Sequence, residues 1–257
     1  MRFFNRRIHK AVSAFDTVEI SEQKGVRFLH LSNSTVQSAM RISAPHDLEL
    51  SYTQAMLGFL LFNNPPGNAL MIGLGGGSLA KFLYHHFEQM QLTAVEINPE
   101  VIKAAYHFFN LPADPQRLQV IQADAVEYIV GQHGWDCILL DGFDAAYQVA
   151  GLASEDFYQQ CANALSSNGI LSVNLWGNDP NFELYRQRIA IAFEQRILCL
   201  PAARRGNIIV FAFAAQPLFR NWKILRQRAR QMEKTLNLPF TDFAEQLKTT
   251  ANWLAQD

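Results

Sequence analysis

The stretch ALMIGLGGGSL, residues 69–79, decides the fold of this 257-residue chain. Its apolar first half predicts a short buried strand, and the glycine run from Gly73 to Gly77 predicts a sharp turn into a helix. Glycine lets a ligand come close to the backbone, and a helix amino terminus favours electron-rich groups. The turn lacks the Gly-Lys-Ser/Thr ending of a P-loop, and Ser78 stands where the dinucleotide-binding pattern has its third glycine.

Short apolar runs alternate with helical segments after this stretch, which is typical of a parallel sheet with crossover helices. The short link at residues 202–206 permits only an antiparallel hairpin between the last two runs. This closure distinguishes one subtype of nucleoside-binding fold from the plain dinucleotide type. We therefore predict an α/β, Rossmann-like, seven-stranded sheet with strands at residues 69–72, 92–97, 118–121, 137–140, 170–175, 197–201 and 207–214.

The two ends of the chain have different patterns. Residues 15–42 alternate apolar and polar side chains between turn residues, which predicts a small antiparallel sheet. Helical spacing predicts a helix over residues 48–62 and two amphipathic tail helices over residues 218–236 and 241–254. The predicted parts are an N-terminal β domain at residues 1–47, a nucleoside-binding domain at residues 48–215 and a helical tail at residues 216–257.

The formal net charge of −1 argues against nucleic acid or an anionic membrane as a partner. No apolar run approaches the length of about 20 residues that spans a bilayer. The three cysteines are isolated, which is typical of reduced core residues in a cytosolic protein. We therefore expect a cytoplasmic protein without membrane or nucleic-acid partners.

Acidic side chains concentrate where the predicted parallel strands end: residues 88–156 hold eleven acidic and only two basic side chains. Near the end of the second strand, Glu96 can accept both hydroxyl hydrogens of a ribose at the carboxyl edge of the sheet. Asp124 follows the third strand, and Asp141 and Asp144 follow the fourth. Any one of them could be a helix cap, but their common edge favours a binding cleft.

A metal site is not expected. His85 and His86 are adjacent on a helix and lack the spacing of two ligands on one face. Asp141 and Asp144 offer fewer oxygen ligands than a hard cation recruits. Cys137 lies within a predicted buried strand without an adjacent histidine, so it is a poor nucleophile.

Several stretches carry a family resemblance: ALMIGLGGGSL (69–79), AVEINPEVI (94–102), DPQRL (114–118), ADA (123–125) and WDCILLDGFD (135–144). Together they resemble the spermidine synthase, or polyamine aminopropyltransferase, family over residues 15–215. The resemblance implies a class I S-adenosylmethionine methyltransferase-like sheet preceded by a small β-hairpin domain. It implies decarboxylated S-adenosylmethionine as cosubstrate, methylthioadenosine as product and an amine such as putrescine as acceptor. A homodimer is suggested only by family analogy.

The resemblance also implies a role for each matching position. Asp141 matches the catalytic aspartate, and Asp144 matches its amine-binding partner. A carboxylate can orient an attacking amine and accept its proton. Glu96 would hold the ribose, Asp124 and Ala125 would meet the adenine, and the glycine loop would pass beside the thioether. The other positions implied to bind the nucleoside are Gln37, Gln54, Gly73, Gly75, Gly76, Gly77 and Ile97.

Three features depart from the family pattern. The family's loop carries an aspartate that grips the aminopropyl ammonium, in the arrangement Gly-Gly-Gly-Asp-Gly-Gly, and we place Gly75 at that position. The tyrosine that precedes a Gln/His-Glu pair is shifted by one, to Tyr52 before Thr53 and Gln54. The hairpin that usually brings a tyrosine and a proline to the polyamine channel reads LPAARR at residues 200–205, and two arginines would repel a polyamine.

Aminopropyl transfer is the leading hypothesis. Loss of the ammonium-gripping aspartate leaves open a methyltransferase that uses intact S-adenosylmethionine, because one barrier to the carboxylate of that substrate is gone. A catalytically silent homologue that binds a nucleoside is the third hypothesis.

Overall fold

The computed structural model describes residues 6–32, 35–142, 150–202 and 206–250. A four-stranded antiparallel sheet with its strands in sequence order comes first along the chain. Three strands fall within residues 15–42 as predicted, whereas the strand at residues 6–12 is not among the predicted ones. None of its side chains is fully buried, so its sequence lacks a clear apolar face. The strands are β1 (Arg6–Val12), β2 (Thr17–Gln23), β3 (Val26–Leu31) and β4 (Val36–Arg41).

The large sheet has the predicted seven strands. They are β5 (Asn68–Ile72), β6 (Gln91–Glu96), β7 (Leu118–Gln122), β8 (Trp135–Leu140), β9 (Leu165–Trp176), β10 (Ile197–Pro201) and β11 (Asn207–Phe213). Their spatial order is β10-β11-β9-β8-β5-β6-β7. The strands from β5 to β9 are parallel, and the last two close the sheet in antiparallel pairing, as predicted. This order sets β5 beside β8 in the centre.

Helices flank the sheet. They are α1 (Ser51–Met56), α2 (Ser78–His86), α3 (Pro99–Phe108), α4 (Ala125–Tyr128), α5 (Glu155–Ala164), α6 (Phe182–Ala192), α7 (Trp222–Leu236) and α8 (Phe240–Thr250). The single helix predicted over residues 48–62 is instead α1 followed by a 3-10 segment at Leu57–Leu61, where Gly58 packs closely against the ring of Phe211. The first tail helix begins later than predicted because Asn221 caps it. Among the described residues, no helix is long and apolar enough to cross a membrane.

Apolar side chains form two layers, one on each face of the large sheet. The tail helices contribute Trp222 and Phe240 to the layer that also contains α1. A third cluster joins the small sheet to α3 through Leu29 and Phe109. This cluster matters for function because it holds β4, with Ser38, against the glycine turn.

Lys81 on α2 is a buried lysine directly behind that turn, with 1% of its surface exposed. Its Nζ donates a hydrogen bond of 2.7 Å to the backbone carbonyl of Phe109, at the carboxyl end of α3. Burial lowers the pKa of Lys81 from 10.5 to about 7. The bond therefore fixes Phe109 beside the turn without requiring a permanent charge in the core.

Lys81 should make the stability of the protein depend on pH. Its pKa is about 7 in the folded chain and 10.5 in an unfolded one, so between these values the unfolded state binds the extra proton. The free energy of unfolding should then rise with pH, by up to about 1.4 kcal/mol per pH unit from this group. Urea titrations of wild type and Lys81→Met across this interval test it. The stability difference should shift toward the wild type as pH rises, and a constant difference would contradict the lowered pKa.

Candidate active site

The carboxyl ends of β5, β6, β7 and β8 open into a cleft of about 330 Å³. Ligands bind at this edge of the sheet in open α/β folds. The small sheet closes the cleft from the other side with Leu29 and Leu31 of β3 and Ser38 of β4. The predicted site residues that line it are Gln37, Gly73, Gly75, Glu96, Ile97, Asp124, Ala125 and Asp141.

The glycine turn and Asp141 touch each other through their backbones. The Asp141 N–H donates to the carbonyl of Ile72 at 2.9 Å, which extends the pairing of β5 with β8. Gly73 has a φ of +89°, and a Cβ at this position would overlap the Asp141 carbonyl oxygen. A side chain at Gly73 would therefore push apart the two segments that form the floor of the cleft.

Glu96 at the end of β6 ties the turn to the start of α3. Its Oε2 accepts the N–H of Leu74 at 3.0 Å, and its Oε1 accepts the N–H of Asn98 at 2.9 Å. Burial raises the pKa of Glu96, and the backbone hydrogen bonds partly oppose that shift. Each carboxylate oxygen has more than one acceptor site, so Glu96 can still accept two ribose hydroxyls.

Asp124 is both a helix cap and a cleft residue, the two roles that its sequence position left open. Its Oδ1 accepts the N–H of Val126 at 2.8 Å and so caps α4, and the residue also lines the cleft beside Ala125. Ile97 and Leu152 add apolar surface to the same region. A polar edge between apolar walls suits a planar base.

Asp141 is a partly buried carboxylate with neutral hydrogen-bond donors. Asn174 Nδ2 donates to its Oδ1 at 2.8 Å. Burial raises the pKa of Asp141, and hydrogen bonding from Asn174 and Tyr52 offsets part of the rise. The Tyr52 hydroxyl donates to the Gln37 carbonyl at 3.0 Å. Asp141 is a second acceptor within reach of the same proton. Tyr52 thus reaches the site despite its shifted position, and Asp141 is suited to accept a proton.

Ser38 is a site residue that the sequence prediction missed, because nothing in a strand of another sheet signals its contact with the turn. Its Oγ accepts the N–H of Gly76 at 2.9 Å. A Cβ at Gly75 would lie 2.7 Å from that Oγ, and a Cβ at Gly76 would lie 2.8 Å from the Phe109 ring.

Counting the family arrangement Gly-Gly-Gly-Asp-Gly-Gly from Gly73 puts its aspartate at Gly76, which corrects the predicted position, Gly75. Neither glycine accepts a side chain unless Ser38 or Phe109 moves.

Other predicted site residues lie elsewhere. The amide of Gln54 donates to the Leu48 carbonyl at 2.6 Å, and this residue does not line the cleft. Gly77 is the N-cap of α2, and Gly76 is engaged by Ser38. Asp144 and the arginines at positions 204 and 205 fall outside the described residues, so the roles predicted for them stay predictions.

The fold is of the class I methyltransferase type, and the cleft lies at the carboxyl edge of the sheet, where such folds bind their ligands. The chain belongs to the spermine/spermidine synthase family. The family model described as "Spermine/spermidine synthase domain" matches residues 49–208. A polyamine aminopropyltransferase of Chromobacterium violaceum is 42% identical over 251 residues, which cover 97% of this chain and 96% of that protein. The resemblance seen in the sequence is thereby confirmed.

Two solved structures share the fold. A spermidine synthase in complex with the transition state analogue AdoDATO has a TM-score of 0.70 at 22% identity, over 82% of this chain and 74% of its own. Human methyltransferase-like protein 13 in complex with SAH has a TM-score of 0.65 at 25% identity, over 74% of this chain and 93% of its own. The predicted class I methyltransferase-like fold is confirmed by both.

Gly73→Ala should be more damaging than the same change at another glycine with positive φ. Gly131 has a φ of +76° and nothing within 4 Å of its Cβ position, so Gly131→Ala adds backbone strain alone. That strain costs about 1–2 kcal/mol. Gly73→Ala adds the collision with Asp141 and should lose clearly more unfolding free energy in urea titrations. Equal losses in the two variants would contradict the close approach of the turn to Asp141.

Proposed function

We propose that the protein transfers an aminopropyl group from decarboxylated S-adenosylmethionine to a small amine such as putrescine and releases methylthioadenosine. The observation that carries the proposal is the contact between the glycine turn and Asp141 in one cleft, where Glu96 also offers its carboxylate. The polyamine aminopropyltransferase that is 42% identical over nearly the whole chain supports the same reaction.

The reaction is a substitution at carbon. The lone pair of the acceptor amine attacks the methylene carbon bonded to the sulfonium, and the carbon–sulfur bond breaks with its electron pair moving to sulfur. Sulfur becomes a neutral thioether, and the new ammonium loses a proton. Asp141 accepts that proton and orients the amine before attack. Holding the two reactants in line supplies much of the acceleration.

The electrostatics of the cleft favour this pair of substrates. Burial raises the pKa of both Glu96 and Asp141, because removing each negative charge from water costs free energy in the folded protein. A sulfonium and an ammonium bring compensating positive charge into the cleft. Both substrates of the proposed reaction are cations, and the product nucleoside is neutral.

Methyl transfer from intact S-adenosylmethionine is the second candidate, and the glycine turn is the observation that favours it. Gly75 and Gly76 carry no carboxylate that would repel the carboxylate of that substrate, and a side chain at either position would have to displace Ser38 or Phe109. The amino terminus of α2 follows the turn and favours negative charge.

Titration calorimetry and turnover separate these functions. We expect methylthioadenosine to bind, and we expect decarboxylated S-adenosylmethionine with putrescine to yield methylthioadenosine. Binding and turnover of S-adenosylmethionine, but not of its decarboxylated form, would instead establish methyl transfer. Binding of methylthioadenosine without turnover of either donor would identify a nucleoside-binding homologue, and binding of neither nucleoside would refute both enzyme functions.

Asp141→Asn should abolish turnover while it leaves the affinity for methylthioadenosine within a few-fold. The amide keeps the size of the side chain but cannot accept the amine proton, and general-base catalysis contributes about 10²–10⁴-fold. Asp156→Asn on the exposed first turn of α5 is the matched control and should keep wild-type turnover. A large loss of methylthioadenosine affinity in Asp141→Asn would show that Asp141 binds the nucleoside instead.

A further inference from the structure

Two asparagines form a hydrogen-bonded chain that ends on Asp141. Asn207 Nδ2 donates to Asn174 Oδ1 at 3.0 Å, and Asn174 Nδ2 donates to Asp141 Oδ1 at 2.8 Å. Asn174 is 2% exposed near the end of β9, between the apolar neighbours Val173 and Leu175. A buried amide in such a strand must have partners for both of its ends, and these two residues provide them.

Strand register produces this chain. Leu140 pairs with Val173, so Asp141 comes alongside Asn174, the next residue of β9. Across the antiparallel pair, Asn174 lies opposite Ile209, and Asn207 lies diagonally two residues away on the same face. Diagonal neighbours on one face of a sheet are within reach of amide side chains.

We propose that Asn207 is a positioning residue for the transfer reaction, because it holds the Asn174 amide with its amino group toward Asp141. An asparagine amide has a donor end and an acceptor end of nearly the same shape. Asp141 accepts from the amino group of Asn174, and Asn207 donates to the Asn174 oxygen, so both ends of that amide are held in this orientation. With that amide reversed, an oxygen would face the carboxylate, and Asp141 would lose its donor and meet a repulsive dipole.

The orientation sets two properties of Asp141 that the reaction needs. The Asn174 hydrogen bond lowers the pKa of Asp141 against the rise caused by burial, which favours the ionised carboxylate. The same bond uses one acceptor site of Oδ1 and so helps to fix the rotation of the carboxylate. The inference rests on the proposed function, in which this carboxylate receives the proton of the amine.

Asn207→Asp tests the inference with no change in side-chain size. A carboxylate at position 207 accepts hydrogen bonds only, so it should draw the Asn174 amino group away from Asp141. We expect kcat to fall by about 10–100-fold, as for loss of a hydrogen bond to a charged group. The acidic limb of the kcat–pH profile should move to higher pH, since Asp141 loses its donor. The affinity for methylthioadenosine should stay within a few-fold, because neither asparagine lines the nucleoside cleft.

The new charge in Asn207→Asp could act on Asp141 through space, and a double-mutant cycle separates that effect. Asn174→Leu removes the amide that transmits the orientation and should by itself lower kcat as much as Asn207→Asp does. Introducing Asn207→Asp into Asn174→Leu should then cost no more than about three-fold further if the effect passes through Asn174. Should Asn174→Leu fail to bind methylthioadenosine, Asn174→Ala takes its place in the cycle.

A spectroscopic readout keeps this test independent of the proposed activity. Carbon-13 NMR of labelled aspartate, with Asp141→Asn for assignment, reports the pKa of Asp141 even if no donor is turned over. We expect that pKa to be higher in Asn207→Asp than in wild type, and much less changed by Asn207→Asp in the Asn174→Leu background. The proposal would be overturned by an unchanged pKa and kcat in Asn207→Asp, or by equal effects in both backgrounds. Absent turnover in wild type would refute the proposed function alone.

Discussion

The pairing of β5 with β8 is the constraint on which the rest of the cleft depends. Ile72 lies opposite Leu140, so the strands end at the same level and Gly73 and Asp141 are the first residues beyond them. The Asp141 N–H closes the last hydrogen bond of this pair on the Ile72 carbonyl. A shift of one residue would separate the turn from the carboxylate. The glycine turn and Asp141 are therefore brought together by backbone hydrogen bonds in the centre of the sheet.

The carboxylates of the cleft are stabilised differently from those on the surface. The surface acids pair with arginine or lysine in several places, for example Glu19 with Arg7 and Glu245 with Arg226. Among the described residues, Glu96 and Asp141 take part in no such ion pair; their hydrogen-bond donors are backbone N–H groups, an amide and a hydroxyl. Neutral donors satisfy hydrogen bonding but leave the negative charge in place. The cleft therefore keeps a negative charge that suits the cationic substrates of the proposed reaction, whereas a resident arginine would have neutralised it.

The sequence predicts those elements whose pattern depends on neighbouring residues along the chain. The central parallel strands of the large sheet have apolar runs because they are buried on both faces, and the edge strand β7 still has three apolar side chains, so all seven strands could be predicted. The edge strand β1 has no buried side chain, so its sequence resembles a loop. Ser38 and Asn174 act in the site through contacts with residues far along the chain, 38 and 33 positions away. Nothing near Ser38 signals such a contact. Asn174 did leave a signal, as the one amide within the apolar run ILSVNLW.

The reversal of β11 links the topology of the sheet to its chemistry. Parallel strands bring only their last residues to the carboxyl edge, where the cleft lies. A strand that runs the other way brings its first residues there, so Asn207 at the start of β11 lies opposite Trp176 at the end of β9. The hairpin between β10 and β11 thereby supplies a side chain to the active edge without a further crossover helix. The antiparallel closure that distinguishes this fold from the dinucleotide type thus gives Asp141 a second layer of hydrogen bonding.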